Sequence, residues 1–478
     1  MLRRRSLQSE WVQFFSLLFL GIIVIWLLIE LEVLYAVDAP VYASIGKELA
    51  LKPFSEWAVL SWNSNLFFEH PHLQFWLLGL SIKLFGAKTL PALLPSLVLG
   101  TLTLPLVYLI GRLLLNHQLG LLAGFALLFT PRFVRMARNP MIEASLTFFV
   151  FLSLYLALLA LRETQKRRRM AWGALSGVAF ALAFLAKGPP ALLVLAILTT
   201  FVVCLKGSYR TLTQLLLFQV GIALALVLGV DFWHFQISGQ SFFKTYLTQQ
   251  VLASAQGIQG RGSFPFSFYL HDLLRGFIPW YPFALASIPI GFYRFYKKDQ
   301  TFLPLLVFGI ASFWGCILGF SLVAKKSPWY LDLATPGNSL LAGLTLYLIF
   351  RGHLNKYFER YFSRFCITLG VGTLFFCSLF PSLFQYNRDG ELFIAEASRV
   401  VQQRLEGREI SDCIYLNSWN GPSLVKYYLG AKLVACQAQA GLKFVRSRDA
   451  LLECGYTDLY SAHTFSLIEH PGLQSGSY

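Results

Sequence analysis

Charged side chains are in short supply: 13% of the 478 residues are Asp, Glu, Lys or Arg, against 56% that are hydrophobic. That deficit of polar surface excludes a soluble globular protein of this length. Repeated apolar runs of about 20 residues instead suit a hydrocarbon core roughly 30 Å thick. No C-x-x-C pair, His-rich tract or zinc-type spacing occurs, so the common structural-metal and dithiol classes are absent. There is also no repeat between the two halves of the chain, whereas transporters often show one. The N-terminal MLRRRSLQSEW has the basic flank of a signal peptide. Its apolar run, from Trp11 to Leu34, is too long for a signal core and lacks a small-x-small cleavage site, so it reads as a retained first span.

What the chain does have is an excess of cations, 40 Lys and Arg against 24 Asp and Glu, for a net charge of +16. These fall in short clusters between apolar runs. The pattern reports topology and points to anionic lipid headgroups rather than nucleic acid. Apolar windows lie near 11–34, 90–113, 118–134, 142–162, 170–186, 189–206, 212–236, 269–293, 302–323, 331–350 and 365–384. The spacing therefore predicts an α-helical polytopic membrane protein with about eleven transmembrane helices. The segment 72–86 is too short to cross comfortably, and charge decides its placement. If it crossed, Lys166-Arg167-Arg168-Arg169 would lie outside, against the positive-inside rule. It is expected to be an interfacial amphipathic helix in the first outer loop, with the N-terminus cytoplasmic.

That parity collects Asp38, Glu48, Glu69, His70, Arg138, Glu143, Lys187, Arg261, Lys325 and Lys326 on the outer face. Ionisable groups at membrane depth are costly and are functional candidates by default. A lysine at a helix end more often just snorkels, whereas carboxylate stems are too short to do so. Beyond residue 384 the composition changes. A helical pattern at 390–405 is followed by short alternations at DCIYLNS, KLVAC and LKFVRS, with helical stretches between them. Residues 1–384 are thus read as the membrane domain and 385–478 as a small outer α/β domain. Its Cys413, Cys436 and Cys454 allow one disulfide and one free thiol, in a pairing left open.

Asp38 ends the first apolar stretch and opens DAPVYASIGKELA (38–50). A carboxylate beside a low-dielectric surface can be tuned towards a general base, and nearby cations could neutralise a departing phosphate. Further blocks follow: FFEHPHLQFWLLGLSIKLFG (67–86), ARNPMIEASLTFF (137–149), LAFLAKGPPALL (182–193), RGSFPFSFYLHDLLRGFIPWYP (261–282) and KKSPWYLDLATPG (325–337). In order and spacing they resemble the bacterial aminoarabinose (lipid A) transferases and the wider protein O-mannosyltransferase-like group of the C-type glycosyltransferase superfamily. The resemblance covers about residues 10–350. It implies Asp38 as the catalytic carboxylate, with Glu69 and Glu143 organising the site. His70, Arg138, Lys187, Arg261, Lys326 and Tyr330 then face the donor phosphate.

The chain departs from the family pattern at four of these blocks. Ala39 follows Asp38 where the family has Glu, His70 stands in a lysine position, and Glu143 replaces an Asp. The family's metal-holding His before the eighth span has no counterpart beside Arg261-Gly262. No cofactor is assigned; a divalent metal stays open, with Glu69, His70 and His72 as alternative donors, and His72 on the interfacial helix as the blander reading.

The reading that emerges is a bacterial inner-membrane enzyme. It moves a sugar from a polyprenyl-phosphate donor to a lipid A, glycan or protein acceptor on the periplasmic face, with inversion. Partners are the lipid-linked sugar, the acceptor and membrane lipids. The alternatives are a lipid-linked-sugar flippase, or a catalytically lapsed relative that binds through its tail.

Overall fold

The computed structural model describes residues 2–27, 34, 38–62, 65–256 and 265–350, together with isolated positions and five strands of the tail. Each apolar window up to residue 350 falls on a helix or a helix pair. These begin with α1 (Leu2–Trp26), α2 (Ala39–Leu51) and α3 (Leu73–Phe85), followed by α4 (Thr89–Leu114), α5 (His117–Leu128), α6 (Pro131–Ala137) and α7 (Ile142–Arg162). Then come α8 (Lys166–Lys187), α9 (Leu193–Cys204) and α10 (Tyr209–Ser238). Short α11 (Phe242–Tyr246) and α12 (Ala253–Ala255) follow, then α13 (Phe268–Gly276), α14 (Tyr281–Tyr296), α15 (Leu303–Ser321) and a last helical segment, α16 (Pro328–Phe350). Among the described residues six helices are individually long and apolar enough to cross a membrane, or seven if α5 and α6 form one span bent by 73°. The window 365–384 lies outside the described residues.

Two windows expected as single helices are broken, and proline explains both. Pro131 opens α6 after Thr130, whose hydroxyl turns back to the Ala126 carbonyl at 2.8 Å. Pro279 and Pro282 interrupt 269–293 and leave α13 and α14, since each proline removes a backbone donor. The segment expected to lie at the interface is helical as α3. Its Gly79 meets Leu49 of α2, and a side chain at Gly46 of α2 would strike Leu78 of α3. Small residues thus let α2, which starts at Asp38, pack closely on α3.

Polar side chains knit the spans where no water competes. Ser153 of α7 and Ser176 of α8 donate to each other's carbonyls at 2.9 and 2.8 Å, and the Gln219 amide of α10 donates to Ser176 Oγ at 2.8 Å. Gln74 of α3 accepts from Ser145 of α7 and approaches Ser96 of α4 at 3.4 Å. Elsewhere α10 presents apolar side chains such as Leu217, Leu228 and Phe232 outward, as a lipid-facing span does.

In the tail, β3 (Glu409–Ser411), β4 (Lys432–Val434), β5 (Leu442–Val445), β6 (Thr457–Ala462) and β7 (Phe465–Glu469) form a sheet in the order β4-β3-β5-β7-β6. A separate two-stranded turn, β1 (Ser61–Trp62) with β2 (Asn65–Leu66), lies in the first loop. Strand β3 is parallel to β4 and β5, while β5, β7 and β6 are antiparallel. The KLVAC and LKFVRS alternations become β4 and β5. The hairpin β6–β7 was not anticipated, and the DCIYLNS segment, the pattern at 390–405 and the three tail cysteines lie outside the described residues. The Tyr427 hydroxyl donates to the Lys88 carbonyl at 2.6 Å, and Lys47 Nζ donates to the Tyr427 carbonyl at 2.5 Å, so the tail touches the first loop.

Candidate active site

Asp38 immediately precedes α2, with Pro40 in the first helical turn. Its side chain makes no capping bond to the helix, so the carboxylate is free for other work. Burial lifts its pKa to about 6, assisted by the charges of Glu143 and Glu69 and opposed by Lys187 and Lys325. Those four groups arrive from four parts of the chain. Glu143 lies in the first turn of α7, where the helix N-terminus favours an anion. Lys187 is the last residue of α8. Glu69 stands before α3, and Lys325 lies between α15 and α16.

Lys187 forms a buried ion pair with Glu143, and its ammonium lies 4.6 Å from the centre of the Tyr330 ring. One Glu143 oxygen, Oε2, has no hydrogen-bond partner among the described residues. Tyr42, one turn into α2, is buried. Burial and the surrounding carboxylates of Asp38, Glu143 and Glu69 push its phenol well above the usual range, so it remains a hydrogen-bond donor. Partial desolvation also raises Glu69, with Lys325 opposing.

The structure therefore brings together Asp38, Glu69, Glu143, Lys187 and Tyr330 from the sequence reading. It adds Tyr42, and it brings Lys325 rather than Lys326 to the carboxylates as the second cation. Lys326, the expected phosphate ligand, turns its ammonium back to the Val323 carbonyl at 2.7 Å and is buried. Lys325 is the one whose charge reaches Asp38, Glu69 and His70, and its ammonium has no partner among the described residues. Neighbouring positions in a non-helical turn point different ways, and the sequence carries no signal for which.

His70 packs edge-on against Tyr42 with ring centres 5.6 Å apart. Desolvation, then Lys187 and Lys325, lower its pKa to about 3, so it stands at the site as a neutral ring. Arg138 donates to the Leu27 carbonyl beyond α1 at 3.1 Å. Arg261 lies outside the described residues. The sequence reading missed a second arginine cluster. Arg132 of α6 pairs with Asp272 and with Asp332 (3.0 Å), while Arg135 covers Trp329 at 4.8 Å. It ties α6 to α13 and α16 and serves the frame.

The alternative metal donors do not fit a metal. Among the described residues no group of three His, Cys, Asp or Glu side chains converges as a metal site. His72 faces elsewhere: its Nε2 is 2.8 Å from the Ala58 carbonyl, which His234 Nδ1 also approaches at 2.7 Å. Its ring packs 4.3 Å from that of Phe242, and burial lowers its pKa to about 3.

Residues 69–233 match the family model described as dolichyl-phosphate-mannose-protein mannosyltransferase. The undecaprenyl phosphate-alpha-4-amino-4-deoxy-L-arabinose arabinosyl transferase 2 of Proteus mirabilis is 26% identical over 314 residues, 63% of this chain and 53% of that protein. A Pseudomonas fluorescens arabinosyl transferase of the same name, numbered 1, is 27% identical over 335 residues, 67% of this chain and 59% of its own. The crystal structure of ArnT from Cupriavidus metallidurans bound to undecaprenyl phosphate superposes with a TM-score of 0.69 at 16% identity, covering 99% of this chain and 98% of that one.

The chain is thus similar in sequence to these arabinosyl transferases and, over residues 69–233, to the mannosyltransferase family model, and it shares the fold of ArnT. The likeness of fold extends further, to the Archaeoglobus fulgidus oligosaccharyltransferase, with a TM-score of 0.60 at 14% identity over 90% of this chain and 65% of that one. The chain spans about half the length of the curated relatives it matches (53% for the first). The family-model match contains Glu69, Arg138, Glu143 and Lys187, while Asp38, Lys325 and Tyr330 lie outside it.

Proposed function

We propose that this chain is a membrane glycosyltransferase that takes a sugar from a polyprenyl-phosphate donor and passes it to a hydroxyl of a lipid, glycan or protein. The observation that carries the reading is Asp38: a carboxylate left unused by its helix, with a pKa near 6, facing two cations from separate elements. A base poised just below neutrality is ionised at working pH yet basic enough to take a proton in the transition state.

Asp38 accepts the acceptor hydroxyl's proton as that oxygen bonds to the anomeric carbon. The bond from that carbon to the phosphate oxygen breaks, and polyprenyl phosphate departs with the electron pair. Lys187 and Lys325 offset the charge growing on the phosphate, and Tyr330 and Tyr42 are placed to donate hydrogen bonds. Glu143 fixes Lys187, and Glu69 orders the rim near Lys325. A single in-line displacement inverts the anomeric centre. The relative bound to undecaprenyl phosphate supports that carrier class.

We further place residues 1–384 in a bacterial inner membrane with the N-terminus cytoplasmic, and residues 385–478 in the periplasm as an α/β domain. The basic clusters between spans support this orientation.

Purified Asp38→Asn assayed against lipid-phosphate sugar donors tests the mechanism: loss of transfer with donor binding retained is expected, and full activity removes Asp38 from it. Mass spectrometry of lipid A, glycans and envelope proteins from cells with and without the chain identifies the acceptor, and an unchanged envelope would count against a transferase.

A further inference from the structure

Helix α8 ends at Lys187, and the last carbonyls of any helix lack intrahelical partners. Gly188 N–H closes onto the Phe184 carbonyl at 2.6 Å, while the Lys187 carbonyl accepts from the Tyr246 hydroxyl at 2.9 Å. A tyrosine from α11 thus caps the helix that presents Lys187. Gly188 has φ +75°, and a Cβ there would collide with that same hydroxyl and ring. The glycine is needed both for its backbone conformation and for the space Tyr246 occupies.

Tyr246 has little freedom to move. It is buried, stacked on Phe242 at 6.0 Å and edge-on to Phe243 at 6.3 Å, and Phe243 lies 6.2 Å from Phe184 of α8. Burial raises its phenol above the usual range, so the donor role persists. Directly after it the chain makes one π-helical turn, Leu247–Leu252, then α12. There the Ser254 carbonyl accepts the Lys325 backbone N–H at 3.3 Å. One short segment is therefore bonded at its start to the backbone of Lys187 and near its end to that of Lys325.

We infer that Tyr246 is a positioning residue that holds Lys187, and through the following turn Lys325, at the carboxylate site around Asp38. For catalysis this rests on the transferase reading; the geometric claim does not. Asp38 faces Glu143 of α7, Glu69 before α3, Lys187 of α8 and Lys325 before α16, with the phenols of Tyr42 and Tyr330 nearby. Both cations favour its ionised form. Loosening them raises its titration midpoint.

The test uses the full chain in lipid nanodiscs and follows the Asp38 carboxyl infrared band, assigned by difference from Asp38→Asn, through a pH titration. Tyr246→Phe removes one oxygen. It should move the Asp38 midpoint upward by about half a unit and weaken binding of undecaprenyl phosphate about fivefold, the worth of one hydrogen bond. The melting temperature should fall only by the modest amount that one lost buried hydrogen bond costs, with the fold retained. Gly188→Ala should act in the same direction, and the double variant should add little beyond either change, because both act on one contact. An Asp38 midpoint unchanged in both folded single variants overturns the inference. Wild-type protein that does not bind undecaprenyl phosphate counts instead against the transferase reading, and the Asp38 midpoint still decides the role of Tyr246.

Discussion

Glu143 and Lys187 form a buried ion pair between the first turn of α7 and the last residue of α8, roofed by the Tyr330 ring. Two charges in such a place are stable only together. Lys187→Met alone leaves Glu143 buried without its cation and should cost about 3–5 kcal/mol. Glu143→Gln with Lys187→Met should recover much of that loss in chemical denaturation, yet remain inactive. A double variant no more stable than Lys187→Met would show that the pair is not coupled.

Asp38 makes activity and stability respond to pH in opposite senses. As a base it must be ionised, so transfer should fall about tenfold per unit below pH 6. For stability, its folded pKa of about 6 exceeds the ordinary 3.8, so the folded state holds the extra proton between those values. Its contribution is therefore full below pH 4 and lost as pH rises through 6. Asp38→Asn should stabilise the protein at pH 7.5 by up to about 3 kcal/mol while abolishing transfer. A variant that melts no higher than wild type would contradict the burial argument.

Adjacent lysines should behave unlike each other. Lys325→Ala should weaken undecaprenyl phosphate binding about tenfold or more with little change in melting, as for loss of a charge-assisted bond. Lys326→Ala removes the donor to the Val323 carbonyl and should affect mainly folding. The reverse pattern in a binding titration would restore Lys326 to the phosphate.

The Ala58 carbonyl is shared by His72 and His234. His72→Phe should lower stability by about 1–3 kcal/mol and leave the Asp38 pH profile in place. A shifted profile would mean that His72 reaches the site after all.

The parts of the site that could be read in advance were those with a chemical reason to be odd. Asp38, Glu69, Glu143 and Lys187 are ionisable groups flanking apolar runs, and cost alone marks them. Tyr42 and Tyr246 left no such trace, because a tyrosine in an apolar stretch looks like packing. The choice between Lys325 and Lys326 depends on backbone direction in a short turn, and the role of His72 on a carbonyl contributed by the loop before it. Hydropathy likewise located 269–293 as membrane-depth chain but did not show that its prolines divide it. In the tail, alternation found β4 and β5 but not the hairpin of β6 and β7.

The serines of α7 and α8 bear on how the chain is built. Ser153 and Ser176 satisfy each other's carbonyls with no help from a third helix. That hairpin can leave the insertion machinery with its polar side chains already paired, whereas α10 enters lipid with the Gln219 amide unsatisfied until it docks. Biogenesis should therefore proceed from a self-sufficient α7–α8 pair to a dependent α10, and membrane-inserted chains truncated before residue 209 and released from the ribosome should already hold α7 and α8 together.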